Sequence, residues 1–202
     1  MKLLDSIHGN YVFNRRISVL AQRIAPLFPQ GARVLDVGCG DGAFAQALMT
    51  LRPDVSVDGI DVLVRPETKI PVTAFDGLDI PAADKSYDAL LFVDVLHHAD
   101  DPTTLLKDAA RVAKGCIVIK DHLKDRPFAG PILAFMDRVG NARHGIALPY
   151  HYWRKAEWDQ AFGLMNVRPD HWDTDLKIYP AWADWFFGGS LHFVGRLVPN
   201  PV

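Results

Sequence analysis

Apolar residues change their spacing several times along the chain, and these changes predict where helices and strands lie. From Ile17 to Leu27 they recur at helical spacing, and Pro26 and Pro29 end this first helix. The short apolar runs that follow have the length and residue types of strands. The predicted strands cover residues 34–37, 55–60, 71–75, 89–93, 117–119 and 190–198.

Helical patterns lie between most of these strands. Asp101 is a typical N-cap residue, and Pro102 suits the first helical position, so a helix is predicted to begin there. Apolar residues continue its pattern through Val112, and Gly115 is predicted to end it. Further helices are predicted at residues 44–51, 128–139 and 153–162.

The connection between the second and third strands is unusual. Residues 62–70 are too few for a connecting helix and include Pro66. Helices are predicted after the first, fourth and fifth strands, which is typical of α/β proteins. We therefore predict an α/β fold with a mostly parallel sheet.

A glycine-rich turn follows the first strand. It contains three glycines, Gly38, Gly40 and Gly42. Glycine permits unusual backbone dihedral angles and close approach of a ligand, and the helix that follows offers unpaired N–H groups. Gly38, Gly40 and Ala43 also fit a dinucleotide-binding fingerprint. Asp36 and Asp41 favour a ligand with a cationic end instead, because each close carboxylate would repel a pyrophosphate by about 1 kcal/mol or more.

Composition and charge narrow the class of protein. With 202 residues, 49% of them hydrophobic, and no linker or repeat, the chain predicts a single domain over residues 1–202. The net charge of −2 is spread along the chain, so no nucleic-acid partner is expected. Cys39 and Cys116 lack metal-like spacing and suit a reducing cytoplasm. Because no window approaches a membrane span, we expect an unprocessed, soluble, cytoplasmic protein and no integral membrane segment.

The stretch from residue 34 to residue 44 resembles the first motif of class I S-adenosylmethionine-dependent methyltransferases. This resemblance covers roughly residues 30–120 and is looser beyond them. It implies a Rossmann-like α/β fold, with a mostly parallel seven-stranded sheet, an antiparallel last strand and helices on both faces. The sequence Asp94-Val95-Leu96-His97-His98 resembles the corresponding segment of the small-molecule branch, which includes ubiquinone- and menaquinone-biosynthesis enzymes (methyltransferase type 11). The Asn/Asp-Pro-Pro-Tyr signature is absent here, which argues against exocyclic amines or side-chain amides as methyl acceptors.

The resemblance implies S-adenosylmethionine as the cofactor and assigns residues to it. Asp61 ends the second strand, where an acid accepts two hydrogen bonds from a ribose diol. Asp76 is matched to the acid that accepts from the adenine amino group, with Asp79 as its alternative, and the Gly77 N–H is matched to a ring nitrogen. The full predicted set is Asp36, Gly38, Cys39, Gly40, Gly42, Asp61, Val62, Asp76, Gly77, Val93 and Asp94.

Two further segments are assigned by the resemblance. Residues 1–30 correspond to a helical lid, in which Tyr11 and Arg15 either contact the cofactor or form a solvated helix start. Residues 121–160 correspond to the insertion that builds the acceptor pocket. Of the 21 aromatic residues, 14 follow Lys120. Aromatic side chains with a few polar groups suit a pocket for a small apolar molecule, although packing in the core is the alternative for each of them.

Methyl transfer is an in-line displacement that depends mainly on alignment and exclusion of water. A base would help to ionise an oxygen acceptor, and histidine has a suitable pKa. We predict His97 as this base and His151 as the second candidate, with a structural role as the alternative for His97 and for His122. Adjacent residues of an extended segment point to opposite sides, so only one of His97 and His98 is expected to face the acceptor.

Two acids bear on whether the protein depends on a metal. Asp94 and Asp121 follow adjacent strands, as the acids of metal-dependent catechol-type methyltransferases do, but His122 stands where those enzymes have a carboxamide. We therefore predict no metal. The predicted activity is methyl transfer from S-adenosylmethionine to a small apolar or aromatic acceptor. The alternatives are an NAD-dependent oxidoreductase and a non-catalytic S-adenosylmethionine-binding protein.

Overall fold

The computed structural model describes residues 14–141 and 150–201, so the predicted lid residue Tyr11 lies outside the described residues. A seven-stranded sheet forms the centre of the molecule. Its strands are β1 (Arg33–Val37), β2 (Ser56–Asp61), β3 (Val72–Ala74), β4 (Tyr87–Val93), β5 (Ala113–His122), β6 (Val167–Asp173) and β7 (His192–Pro199).

The strand order is β3-β2-β1-β4-β5-β7-β6. Strands β1 to β5 pair in parallel, and β7 runs antiparallel to both β5 and β6. Only β7 therefore opposes the other six strands, which confirms the predicted fold class. Because β1 and β4 are central neighbours, their carboxyl ends border the crevice in which open α/β sheets bind ligands.

Helices cover both faces of the sheet. Residues 14–24 form α1. The other helices are α2 (Ala43–Leu51), α3 (Pro102–Val112), α4 (Ala129–Asn141), α5 (Lys155–Leu164) and the short α6 (Ala181–Ala183), which continues as a π-helical turn (Asp184–Gly188). Within the described residues, no helix is both long enough and apolar enough to cross a membrane.

Successive side chains of the central strands point to opposite faces of the sheet, which explains why helices pack on both faces. Leu90 and Phe92 of β4 belong to the core cluster that includes α3 and α5, whereas Ala89 and Leu91 belong to the cluster that includes α1 and α2. Successive strand residues point to opposite faces, so a continuous apolar run is buried on both. The lid helix predicted before β1 is thus part of the core, where Leu20 is buried.

Several predicted elements are confirmed and others are corrected. The Asp101 carboxylate accepts hydrogen bonds from the Thr103 and Thr104 amides at 3.0 Å, as expected of an N-cap. Residues 62–70, all of them described, connect β2 to β3 without a helix. The prediction that Gly115 ends α3 is wrong, because β5 begins at Ala113 and Gly115 lies inside it.

The sequence patterns missed β6 altogether. Its sequence contains Pro169, Asp170 and His171, which interrupt any apolar alternation. The strand lies at the edge of the sheet, where a proline is tolerated because one side of the ladder is free. The pairing with β7 also shifts register between Pro169 and His171.

Candidate functional site

The three glycines after β1 form a cradle whose shape requires them. Gly38, Gly40 and Gly42 have φ angles of +75°, +60° and +77°, in the left-handed region that side chains disfavour. A Cβ atom at Gly38 would lie 2.6 Å from Val95, and one at Gly42 would lie 2.5 Å from Ile70. At Gly40 the nearest described atom is Nη2 of Arg65, 3.5 Å from such a Cβ position. The backbone is therefore approachable at Gly40 once the flexible Arg65 tip moves.

Asp61 holds the cradle against the end of β2. Its Oδ2 accepts a hydrogen bond from the Gly40 amide at 2.8 Å, and its Oδ1 accepts one from the Leu63 amide at 2.8 Å. A carboxylate has about four acceptor positions, so each oxygen retains one for a ligand. The partly buried Cys39 side chain packs against Gly59 of β2, where a Cβ atom would lie 2.6 Å from its Sγ.

Asp36 lies beneath the same turn and is buried. Burial, together with the nearby Asp61 charge, raises the pKa of the Asp36 carboxyl to about 7. Burial also raises the pKa of the Cys39 thiol, and the Asp36 and Asp61 charges add to this effect. The floor of the cradle thus combines a carboxylate at Asp61 with a carboxyl group at Asp36 that titrates near neutral pH.

The far end of the predicted cofactor site has an apolar edge. A Cβ at Gly77, where φ is +88°, would lie 3.2 Å from Cγ1 of Val62, and 64% of Val62 is exposed. The Asp76 Oδ1 accepts hydrogen bonds from the Leu78 and Asp79 amides at 2.8 and 2.9 Å, and these lower its pKa. An exposed apolar side chain beside a fixed carboxylate suits a flat heterocycle such as adenine.

Asp94, at the end of β4, is held between two cations. Its carboxylate forms ion pairs with Arg16 of α1 and with Lys120 of β5. Burial alone would raise its pKa, but Arg16 and Lys120 outweigh it and hold the pKa of Asp94 well below its usual range. Its φ of +58° places it in the left-handed region. Sequence analysis predicted Asp94 as a cofactor residue and gave no role to Arg16 or Lys120.

Lys120 is completely buried and joins Asp94 to His192. Its Nζ lies 3.2 Å from Nδ1 of His192, whose Nε2 lies 2.8 Å from the Phe187 carbonyl oxygen. Burial and the Lys120 charge hold the pKa of His192 well below its usual value. A neutral His192 donates from Nε2 and accepts from Lys120 at Nδ1. This contact joins β5 to β7 and had no signal in the local sequence.

His97 lies in a 3-10 turn (Leu96–His98), not in an extended segment, so the expectation of opposite-facing histidines is wrong. The rings of His97 and His98 are 4.0 Å apart. His97 is buried, with Nδ1 2.7 Å from Oδ1 of Asp121 and Nε2 3.4 Å from Oδ2 of Asp137. Burial lowers its pKa, but Asp121 and Asp137 outweigh this and raise it to about 10.

The pKa values of His98 and His122, the two histidines beside His97, are lowered, whereas that of His97 is raised. Burial lowers the pKa of His98, and the His97 charge lowers it further. Burial and the charges of His97 and Lys120 lower the pKa of His122 to about 4. Tyr152 donates a hydrogen bond to Asp137, and its ring stacks 5.7 Å from His97. Four chain segments thus enclose one polar cluster at the ends of β4 and β5.

His151 differs from His97 because its side chain is exposed. Its backbone amide donates to the His97 carbonyl oxygen at 3.2 Å, and its Nδ1 lies 3.0 Å from the Ala99 carbonyl oxygen. A proton on Nδ1 makes this second hydrogen bond, so the lone pair lies on Nε2. The predicted acceptor insertion therefore returns to the end of β4, although residues 142–149 of it lie outside the described residues.

The described residues also form an open cleft of about 680 Å³, a volume typical of small-molecule sites. The lining residues are Arg15, Arg126, Asp175, Lys177, Tyr179, Ala181, Asp184, Trp185 and Gly189. Tyr179 links the cleft to the end of β4, because its ring lies 6.0 Å from the ring of His192, which Lys120 joins to Asp94. Burial raises the pKa of Tyr179. Most of this lining follows residue 174, outside the insertion that sequence analysis assigned to the acceptor.

Comparison with known proteins agrees with this geometry. A family model described as a methyltransferase domain matches residues 10–172. The ubiquinone biosynthesis O-methyltransferase of Proteus mirabilis is 32% identical over 111 residues, covering 49% of this chain and 44% of that protein. The 27-O-demethylrifamycin SV methyltransferase of Amycolatopsis mediterranei is 30% identical over 144 residues, covering 63% of this chain and 52% of that protein. The chain spans about half the length of these relatives.

A solved structure shares the fold. The S-adenosylmethionine-dependent methyltransferase of Methanosarcina mazei superposes with a TM-score of 0.64 at 15% identity, covering 89% of this chain and 97% of that one. The strand order and the glycine cradle define a class I, Rossmann-like cofactor-binding fold. The chain belongs to the methyltransferase-domain family, within the class I S-adenosylmethionine-dependent methyltransferases, which confirms the resemblance. Its cofactor is S-adenosylmethionine.

Proposed function

We propose that the protein transfers the methyl group of S-adenosylmethionine to an oxygen of a small aromatic or apolar acceptor. The main support is that the Tyr179 ring of the 680 Å³ cleft lies 6.0 Å from the ring of His192, which Lys120 joins to Asp94 at the end of β4. The relatives named above are O-methyltransferases by name or by the position they methylate, which favours oxygen as the acceptor atom.

The cofactor supplies a methyl group activated by a sulfonium, and the chain supplies alignment. Asp61 has acceptor positions for the ribose diol, Asp76 and Gly77 suit the adenine edge, and Val62 covers its face. Asp36, when ionised, favours the positive charges of the cofactor. Holding two reactants in line is worth several kcal/mol of the barrier in well-oriented reactions, so these contacts account for most of the proposed catalysis.

Between the two histidines predicted as bases, the described geometry favours His151. A base must reach the proton that it removes, directly or through one water. The His97 side chain is only 1% exposed and lies between two carboxylates, whereas His151 is exposed with its Nε2 lone pair available. We propose His151 as the base that helps to ionise the acceptor and His97 as a residue that organises the cluster.

Two experiments test this proposal. Calorimetric titration of the full chain with S-adenosylmethionine and with NAD⁺ identifies the cofactor. A radiolabelled methyl group on S-adenosylmethionine then shows whether the protein methylates any member of a panel of phenols, catechols and hydroquinones. We expect binding of S-adenosylmethionine alone and a labelled, alkali-stable ether product. Binding of NAD⁺ instead would overturn the proposal in favour of an oxidoreductase. Cofactor binding with no label transferred to any panel member or cell extract would favour the non-catalytic alternative.

A further inference from the structure

Three groups of histidines and carboxylates in the described residues have metal-like spacing, and two of them are already satisfied within the protein. In the group of Asp94, His122 and His192, Lys120 Nζ bonds to both Asp94 and His192. In the group of His97, Asp121 and His122, the Asp121 Oδ1 lies within hydrogen-bonding distance of both histidine Nδ1 atoms. Asp94 and Asp121, the two acids that resemble those of metal-dependent enzymes in the sequence, therefore already have partners within the protein.

The third group, His97, His98 and Asp137, is different. One ligand atom from each side chain lies within 4.8 Å of the others. His97 Nε2 and His98 Nδ1 are both buried and have no hydrogen-bond partner among the described residues. Buried polar atoms are nearly always partnered, so two unpartnered nitrogens in one cluster indicate a missing neighbour.

The spacing of His97 and Asp137 fits two ligands of one metal ion as well as an ion pair. His97 Nε2 and Asp137 Oδ2 are 3.4 Å apart without forming a hydrogen bond. In a tetrahedral zinc site with bonds of about 2.0–2.1 Å, two ligand atoms are about 3.4 Å apart. His97, on the turn after β4, and Asp137, on α4, are therefore as far apart as two ligands of one zinc ion would be.

Neighbouring groups orient the candidate ligands as outer-shell residues do. Asp121 Oδ1 lies 2.7 Å from Nδ1 of His97, which leaves Nε2 as the ligand atom. Tyr152 donates a hydrogen bond to Asp137 and fixes its carboxylate. Metal-bound histidines typically donate their second ring N–H to a carboxylate, and metal-bound carboxylates are themselves hydrogen-bonded.

We propose that His97 Nε2, His98 Nδ1 and the Asp137 carboxylate bind a divalent first-row transition-metal ion, with zinc as the first candidate. Two imidazoles and one carboxylate suit zinc or iron, whereas magnesium and calcium prefer oxygen ligands alone. Three protein ligands leave a fourth position for water or for an oxygen of a bound molecule. The proposal replaces the sequence-based prediction of no metal and does not depend on the identity of the methyl acceptor.

The test is a zinc titration of the full chain. The purified protein is stripped with a chelator, dialysed and titrated with Zn²⁺ against a chromophoric competitor, and bound metal is measured by mass spectrometry. We expect one zinc per chain. His98→Gln and Asp137→Asn should each weaken zinc binding by at least about 100-fold, since each removes a direct ligand. His171→Gln, at an exposed position on β6, is the matched control and should leave the affinity unchanged.

Further measurements keep the outcomes distinct. Asp137→Asn retains an oxygen that can accept from Tyr152, and thermal unfolding with chelator present checks that each variant folds. Absence of tight zinc binding, or equal affinity in all variants, would overturn the proposal and leave a His97–Asp137 ion pair. Loss of zinc binding in His192→Gln but not in His98→Gln would place the ion in the neighbouring group and would also overturn it. Cofactor affinity measured on the same samples separates this result from the proposed function.

Discussion

The Asp61 carboxylate at the end of β2 accepts a hydrogen bond from the Gly40 amide at 2.8 Å, linking the second strand to the glycine turn after the first. This contact fixes the acid and the turn relative to each other before any ligand binds. Preorganised groups lose little conformational entropy on binding. The cofactor contacts that depend on this link can be tested one residue at a time.

Asp61→Ala should weaken S-adenosylmethionine binding by about 1.5–3 kcal/mol, the range for hydrogen bonds to a charged group. The substitution removes the proposed ribose acceptor and also the contacts to the Gly40 and Leu63 amides. Calorimetric titration measures the loss. Asp79→Ala is the comparison variant, since Asp79 is the alternative to Asp76 for the adenine contact and is assigned no ribose contact. If Asp79→Ala lost affinity and Asp61→Ala did not, the assignment of the ribose contact to Asp61 would be wrong.

Gly42→Ala should destabilise the protein more than Gly31→Ala. Both glycines have left-handed φ angles, +77° and +67°, which cost alanine about 1–2 kcal/mol each. Only the Cβ at position 42 meets another group, Ile70 at 2.5 Å, and overpacking adds about 1–3 kcal/mol. Urea unfolding of the two variants gives the difference directly. Equal losses of unfolding free energy in the two variants would show that Ile70 moves away from the new Cβ atom without an energetic cost.

The stability contribution of Asp36 should fall as the pH rises. Its pKa is raised to about 7 in the folded protein, so its stabilisation is fully present below the unfolded pKa near 4 and is lost as the pH passes through 7. The change is up to about 4 kcal/mol, at about 1.4 kcal/mol per pKa unit. Denaturant unfolding of the natural protein and Asp36→Asn at pH 4, 6 and 8 measures it. Parallel pH profiles of the two proteins would contradict this prediction.

Lys120→Met should cost about 3–5 kcal/mol of unfolding free energy, because it removes the fully buried partner of the Asp94 carboxylate, which is itself only 16% exposed. Arg16→Met should cost only about 1 kcal/mol, since the Arg16 side chain is partly exposed. The double variant Lys120→Met/Asp94→Asn should recover part of the loss. Additive effects of the two substitutions in urea unfolding would show that Lys120 and Asp94 do not interact.

His151→Ala should lower the rate of methyl transfer by about 100-fold or more with cofactor affinity unchanged, as expected for loss of a positioned base. His171→Ala provides the control for removing an exposed histidine. Single-turnover rates and calorimetric cofactor affinities are measured on the same preparations. A normal rate in His151→Ala across the pH range would indicate that alignment alone supports the reaction.

The sequence by itself determined the parts of this protein that depend on neighbouring residues. The strand, glycine turn and helix around residues 34–51 follow from apolar periodicity and glycine conformation, and the acid at residue 61 follows from its distance past the turn. The parallel pairing of β1 with β2 and of β4 with β5 follows from the helix that lies between the strands of each pair. Each of these signals lies within a short window, where periodicity and turn chemistry act directly.

Only the tertiary structure decided the contacts between distant residues. Arg16 and Asp94 are 78 positions apart, and Lys120 and His192 are 72 apart, so no local pattern pairs them. Strand β6 lacks an apolar alternation and exists because β7 offers it a hydrogen-bonding edge. The environment of His97 depends on Asp121 and Asp137 from two other elements. Burial and the charges around a residue are properties of the packed chain, because they arise from groups that meet only after folding.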